Sequence, residues 1–175
     1  MNYCKYDDEY SPLAPGTEYL EINENWANRQ ITFNGEEYLA SNYIHPRWGI
    51  MLADGELDYD ELVREGEVTP ITKDEFEAVW QAHLALHQAE WEAAKRSYQI
   101  GTSVDGWIKI FYPQGVIVFL GNALGVADYR ACKASTSPEF IMGTGYKISA
   151  VVSGYDDENQ WIILDSPHVI PVRVV

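Results

Sequence analysis

The sequence predicts an α+β protein in two parts, an antiparallel meander with a long helix followed by a small five-stranded β-barrel. Three observations predict it. Residues 18–41 alternate between apolar and polar side chains around turn signals, residues 72–96 carry apolar side chains at helical spacing, and residues 101–165 hold five short β-type runs punctuated by glycine. A length of 175 residues suits one domain or two small ones, and 46% aliphatic and aromatic residues suffice for a packed core.

Charge divides the chain. It has 27 acidic and 12 basic residues, a formal charge of −15. Residues 1–97 contain 20 acids and 7 bases, a net of −13, whereas residues 98–175 contain 7 and 5, a net of −2. The shift marks a domain boundary near Ser97, giving an acidic α+β domain over 1–97 and a barrel domain over 98–175. A polyanion should be repelled by such a chain, so nucleic acid is disfavoured as a partner.

In the first half, residues 1–17 are polar and contain Pro12, Pro15 and Gly16, so they read as an arm. Glu18–Asn23 is strand-like, Asn23-Glu-Asn25 offers a turn, and Trp26–Phe33 alternates with Arg29, Ile31 and Phe33 on one face. Asn34-Gly35 signals a two-residue type I′ hairpin, with Glu36–Ser41 returning as a third strand. Asp58–Glu65 before Gly66 reads as a short helix with a glycine stop. Thr72-Lys-Asp-Glu75 matches a capping box, opening a helix over 72–96 on which Phe76, Val79, Trp80, Leu84, His87 and Trp91 recur.

Metal and catalytic patterns are absent or broken. His83 and His87 stand four apart with Glu90 one turn on, but Leu84 occupies the place where a zincin needs glutamate. Asp54, Glu56, Asp58 and Glu65 echo a calcium loop, but Tyr59 stands where that loop needs glycine. Cys4 and Cys132 fit no metal or redox spacing and read as reduced structural thiols of a cytosolic protein. No apolar run suggests a signal peptide or membrane span. With no catalytic constellation or phosphate loop, a non-enzymatic binding protein without cofactor is expected.

The acidic run from Asp54 to Glu67 is the leading candidate surface. Asp54, Glu56, Asp58, Asp60, Glu61, Glu65 and Glu67 face a single cation, Arg64. Together with Tyr59, and with Trp48 from the polar-aromatic His45-Pro46-Arg47-Trp48 loop, they form the expected contact set for a basic protein partner.

Two resemblances sharpen these expectations. Gly101…Gly106, Gly115 before Val116-Ile-Val, Gly125-Val-Ala, Met142-Gly-Thr-Gly-Tyr-Lys and Tyr155-Asp-Asp-Glu-Asn before Trp161-Ile-Ile-Leu resemble the ribosomal S-one type of RNA-binding OB-fold domain over about 65 residues. That resemblance implies an OB-like barrel with an RNA-binding face. The places where the family carries two aromatic residues, a histidine and an arginine hold Gln114, Ile117, Asp128 and Trp161 here. Lys109, Phe111, Tyr129, Arg130, Lys133 and Trp161 are therefore the alternative nucleic-acid set, with Lys147 extending the basic strip. In the first half, Glu18-Tyr-Leu-Glu-Ile…Arg29-Gln-Ile…Asn34-Gly-Glu-Glu-Tyr38 and Phe76-Glu-Ala-Val-Trp80 resemble small acidic bacterial immunity proteins of polymorphic toxin systems. That resemblance implies inhibition of a basic toxin, such as a nuclease, by an acidic surface.

Overall fold

The computed structural model describes residues 1–173; residues 174 and 175, assigned by sequence to the second domain, lie outside the described residues. It is a mixed α+β structure in two units, Met1–Leu86 and a second beginning at His87. The sequence-based boundary at Ser97 thus lies eleven residues beyond the division between the units.

The first unit is built on an antiparallel sheet. Strand β1 (Asn2–Asp8) pairs along its whole length with β2 (Gly16–Asn23), which pairs with β3 (Trp26–Phe33). Strand β4 (Tyr38–Ala40) flanks β3. After helix α1 (Tyr59–Glu65), the short strand β5 (Thr69–Pro70) joins the far side of β1, giving the order β4-β3-β2-β1-β5. The expected three-stranded meander is therefore five-stranded, and the expected N-terminal arm is a strand. The residues read as loop-forming lie after β1: Pro12 and Pro15 fall in its connection to β2, and Gly16 opens β2 itself.

The turn signals also change places. Glu24 and Asn25 both hold positive φ, 48° and 65°, as the type I′ turn between β2 and β3 requires. Asn34-Gly35 does not form the expected two-residue hairpin. Phe33 pairs with Tyr38 across a four-residue loop, in which Asn34 Oδ1 accepts from the N–H groups of Glu36 (3.0 Å) and Glu37 (2.8 Å). The asparagine side chain supplies a local backbone mimic that a longer loop can use.

Helix α2 (Lys73–Leu86) covers one face of this sheet. Its buried Phe76, Trp80 and Leu84 meet Ile31 and Ala40, flanked by Tyr3, Tyr19 and Tyr38. The opposite face carries Cys4, Leu20, Ile22, Ala27 and Val68, packed against Leu52, Leu57, Tyr59, Leu62 and Val63. Thr72 Oγ1 accepts from the Glu75 N–H at 3.1 Å, so one half of the capping box forms. The Glu75 carboxylate instead accepts from Lys5 at 2.6 Å, drawn by a cation on β1.

A buried cation lies between α2 and the sheet. Arg29, 2% exposed, donates to Glu21 through Nε (3.1 Å) and Nη2 (2.6 Å), and Nη2 also reaches Glu77 of α2 at 2.5 Å. Its guanidinium lies 4.8 Å from the Phe76 ring centroid and 5.2 Å from that of Trp80. A β-bulge places Asn28 and Arg29 opposite Glu21, so the Asn28 amide donates to the same carboxylate.

Two buried glutamates on opposite faces of β2 shift in opposite directions. Burial pushes the Glu18 carboxyl above its ordinary range despite hydrogen bonds from Tyr6, Gln30 and Thr32. Burial also works against ionised Glu21, but hydrogen bonds from Arg29 and Asn28 and the arginine charge outweigh it, leaving that carboxyl below its ordinary range.

The helix expected over 72–96 is two helices. It breaks at His87 (φ −106°, ψ 6°), and α3 (Gln88–Ser97) belongs to the second unit. There Trp91 and Ala94 enter the core of a second five-stranded sheet. Trp91 Nε1 donates to Asp157 at 2.7 Å, and the Tyr155 hydroxyl donates to the Tyr98 carbonyl at 3.0 Å. Apolar spacing continues across the break because both helices bury one face, each within its own unit.

Strands β6 (Ser103–Tyr112), β7 (Gly115–Phe119), β8 (Leu124–Ala127), β9 (Tyr146–Asp156) and β10 (Trp161–Arg173) close on themselves in the order β10-β8-β7-β6-β9. All neighbours are antiparallel except β8 and β10. Gly115 is required where β6 turns into β7: its φ is 145°, and a Cβ there would lie 2.5 Å from the Ala127 oxygen. Val116, Val118, Ile148, Ala150, Val152, Ile162 and Leu164 fill the interior. Between β8 and β9, α4 (Tyr129–Ala134) adds buried Cys132, with Asp128 Oδ1 accepting from the Ala131 N–H at 2.7 Å. Cys4 and Cys132 are buried free thiols, each pushed up to about 11 mainly by burial.

Replacing Arg29 with methionine (R29M) leaves two carboxylates without their shared cation. It is expected to cost about 3–5 kcal/mol in denaturant unfolding at pH 7. Because Glu21 has a depressed folded-state pKa, its contribution is present above the ordinary glutamate range and is lost as pH falls toward the folded value. The gap between wild type and R29M therefore narrows in acid. A carbon-detected NMR titration of the two carboxyls provides the independent check, with Glu18 titrating above and Glu21 below a free glutamate.

Candidate functional site

Five carboxylates of the acidic run line one groove of the first unit. The connection after β4 crosses the sheet, fixed where Gln30 Oε1 accepts from the Ala53 N–H at 2.6 Å and the Asn25 carbonyl accepts from the Leu57 N–H at 2.7 Å. Asp58 then caps α1, accepting from the Glu61 N–H at 3.0 Å. Gly66, with φ 76°, closes the helix by donating its N–H to the carbonyls of Leu62 and Val63. That left-handed residue turns the chain so that Glu65 and Glu67 both line the groove.

The groove encloses about 470 Å³ and presents carboxylates from Glu56, Asp58, Glu61, Glu65 and Glu67. Asn25 lines it from the β2–β3 turn, donating to Glu56 at 3.3 Å, and Leu57 and Leu62 supply apolar surface. Arg64 pairs with Glu61 at 2.9 Å, both side chains being largely solvated. The Glu65 and Glu67 carboxylates have no hydrogen bond or ion pair among the described residues, although the Glu67 N–H donates to the Leu62 carbonyl at 3.0 Å. Glu65 also lies in the last turn of α1, where the helix dipole is unfavourable for an anion.

Five of the nine residues expected to contact a partner meet in this groove. Asp54 and Asp60 are exposed outside its lining, while Tyr59 packs against the Cys4–Leu20 core and is not part of the acidic surface. Burial pushes the Tyr59 hydroxyl above its ordinary range. Trp48 is 39% exposed on its own loop, with the Arg47 guanidinium 4.9 Å from its ring centroid. Sequence reasoning missed Asn25, Leu57 and Leu62. The Asn23–Asn25 turn signal was legible, but nothing local connects it to a loop 31 residues away.

The alternative set on the second unit does not form a stacking platform. Trp161 is 1% exposed, and Ile117, at the place of a family aromatic, is fully buried. Lys133 donates to the carbonyls of Pro138 (3.3 Å) and Phe140 (2.5 Å). Phe111 packs against the ring's core and meets Tyr129 edge-on at 6.1 Å. Lys109, Tyr129 and Arg130 remain exposed, whereas Lys147 pairs with Asp105 at 2.7 Å. His83 is also a packing residue, 1% exposed and 3.1 Å from Asn42 Oδ1.

No protein-family model matches this chain, and no curated protein is recognisably similar to it. Among the described residues, no helix is long and apolar enough to cross a membrane.

Asp58 serves both the groove and the fold, so its substitutions should separate the two. Asp58→Ala removes the α1 cap and is expected to cost about 1 kcal/mol in thermal or denaturant unfolding. Asp58→Asn retains a capping oxygen, and its stability should stay within about 0.5 kcal/mol of wild type.

Proposed function

We propose that the first unit is a docking module for a basic protein, and that the chain acts as an immunity-type inhibitor of a basic toxin such as a nuclease. The observation that carries this reading is the convergence of five carboxylates on one groove whose neighbouring cation is a solvated arginine. A concave acidic surface focuses its field and raises the encounter rate with a cationic partner. Leu57 and Leu62 add the apolar contact that holds a complex after encounter.

Unit 1 concentrates the charge that such steering needs. Residues 1–86 hold 18 acids and 5 bases, a net of −13. The partner is to be captured from native cytosol after nuclease treatment at low salt, then bound to purified wild-type and groove-variant protein. The quadruple variant E56Q/E61Q/E65Q/E67Q is expected to slow association at least about tenfold at low salt, with that difference shrinking in high salt. Undiminished binding and inhibition by the folded variant would remove the groove from the reading.

The second unit supports a second reading, that of an OB-like RNA-binding barrel. Counting its strands from β6, the ring order is first, second, third, fifth, fourth, with the fifth parallel to the third. That Greek-key closure favours the OB-like arrangement. Burial of Trp161 and Ile117 weighs against the family's aromatic binding face. Fluorescence anisotropy with single-stranded RNA tests this reading: salt-sensitive binding lost in Tyr129→Ala and Arg130→Ala would favour it over toxin docking.

A further inference from the structure

One buried glutamine links the sheet of the first unit to the connection that builds the groove. The Gln30 backbone is fixed by Ser41, whose Oγ accepts from the Gln30 N–H at 3.1 Å and whose N–H donates to the Gln30 carbonyl at 2.9 Å. Its side-chain amide faces two partners of opposite kind. The NH2 end donates to the buried Glu18 carboxylate of β2, and Oε1 accepts from the Ala53 N–H at 2.6 Å. Ala53 leads into Glu56 and Leu57, which line the groove, and the Leu57 N–H is held in turn by the Asn25 carbonyl. An ionised carboxylate can only accept, so it takes the donor end of the amide and leaves the acceptor end for Ala53. Reversing Gln30 would set its oxygen against the carboxylate and its NH2 group against the Ala53 N–H. Both bonds would be lost, and buried polar groups left unpaired are costly.

We propose that ionised Glu18 is a positioning residue for the groove, fixing which end of the Gln30 amide meets Ala53 and thereby anchoring the connection that presents Glu56 and Leu57. The service to docking rests on the groove reading, whereas the orientation of Gln30 does not. The hydroxyl donors to Glu18 cannot select an orientation in this way. Tyr6 Oη donates to Oε1 at 2.5 Å and Thr32 Oγ1 to Oε2 at 3.2 Å, but a hydroxyl rotates to donate or accept as its partner requires. Protonated Glu18 gains a donor of its own and no longer selects one end of the amide. Burial and like charge from Asp8 on β1 favour that protonated form, against the donors Tyr6, Gln30 and Thr32, and the carboxyl lies above its ordinary range. Cys4 and Tyr6, on the same strand as Asp8, are held neutral, both pushed up mainly by burial. Control of the amide therefore exists above that raised value and is lost as pH falls through it.

The test needs no partner. Hydrogen exchange of the Ala53 amide in the full chain is to be followed by proton–nitrogen NMR above the Glu18 midpoint, relative to core amides of β2. Glu18→Gln presents either a donor or an acceptor, so both orientations of Gln30 become available. It is expected to speed Ala53 exchange at least about tenfold, as is Gln30→Met, which has no amide. In the Gln30→Met background, Glu18→Gln should add nothing at Ala53, because its effect passes through that amide. Tyr6→Phe removes a donor but keeps the carboxylate, and should leave Ala53 protected as in wild type. In wild-type protein, the Glu18 carboxyl and the Ala53 amide should share one midpoint on acidification, a readout that stands even if Glu18→Gln does not fold. Full protection of Ala53 in folded Glu18→Gln, a further loss in the double variant, or protonation of wild-type Glu18 with Ala53 unmoved would each overturn the proposal. Failure of the docking reading would show instead in the groove variants, whose test does not involve the Ala53 amide.

Discussion

The first unit depends on one desolvated cation. Arg29 has its charge answered by Glu21 beside it on the sheet and by Glu77 on α2, while its planar face lies against Phe76 and Trp80. A lysine could supply the charge but not the two-sided fork or the flat stacking surface. Helix α2 also buries Phe76, Trp80 and Leu84, each worth about 1.5–3 kcal/mol when fully removed from water. Apolar burial provides most of the adhesion, but it would tolerate some sliding. The Arg29 network fixes position, because displacing α2 along the sheet would leave buried carboxylates without their donors. The β2–β3 bulge serves the same end by bringing Asn28 and Arg29 to one carboxylate.

Other features of the unit follow from that anchored sheet. With α2 on one face, the opposite face is available for the 52–57 connection and α1. Pairing of β2 and β3 carries their turn to the Leu57 amide, which bonds the Asn25 carbonyl, and the groove forms where turn, connection and helix meet. The acidic groove is thus a surface consequence of a well-fixed interior.

Much of this fold could be read from short-range signals. Helix α1 and the Gly66 stop appear where the residue types place them, with Asp58, expected as the first helical residue, serving as the cap. The strand runs of the second unit begin near where turn glycines and aliphatic runs place them, but β10 continues to Arg173, past the expected end at 165, and α4 was not expected. What was illegible depends on distant partners. Polar Asn2–Asp8 becomes a strand because β2 offers it a complete ladder, and the apolar stripe across His87 conceals two separate helix faces. The candidate site divides in the same way. A charge run shows which residues are acidic, but only the fold turns Tyr59 into the core and brings Asn25 beside Glu56. Trp161 looked able to stack on a base, and its burial could not be known from its neighbours in sequence.

The acids of the first unit fall into two physical groups. Glu18, Glu21, Glu75, Glu77 and Asp58 each satisfy a named donor, and the folded state uses them directly. Glu65 and Glu67 satisfy none among the described residues, and Glu65 stands at the wrong end of α1 for its charge. Concentrating like charge also disfavours a compact state through self-repulsion. Neither the cap, the core nor the sheet register therefore explains why these carboxylates share a groove. Local choices that conflict with the fold's own preferences are expected at functional sites. The proposed docking of a cation-rich surface would resolve the conflict, because the same repulsion that weakens the isolated unit would become attraction once a basic partner filled the groove.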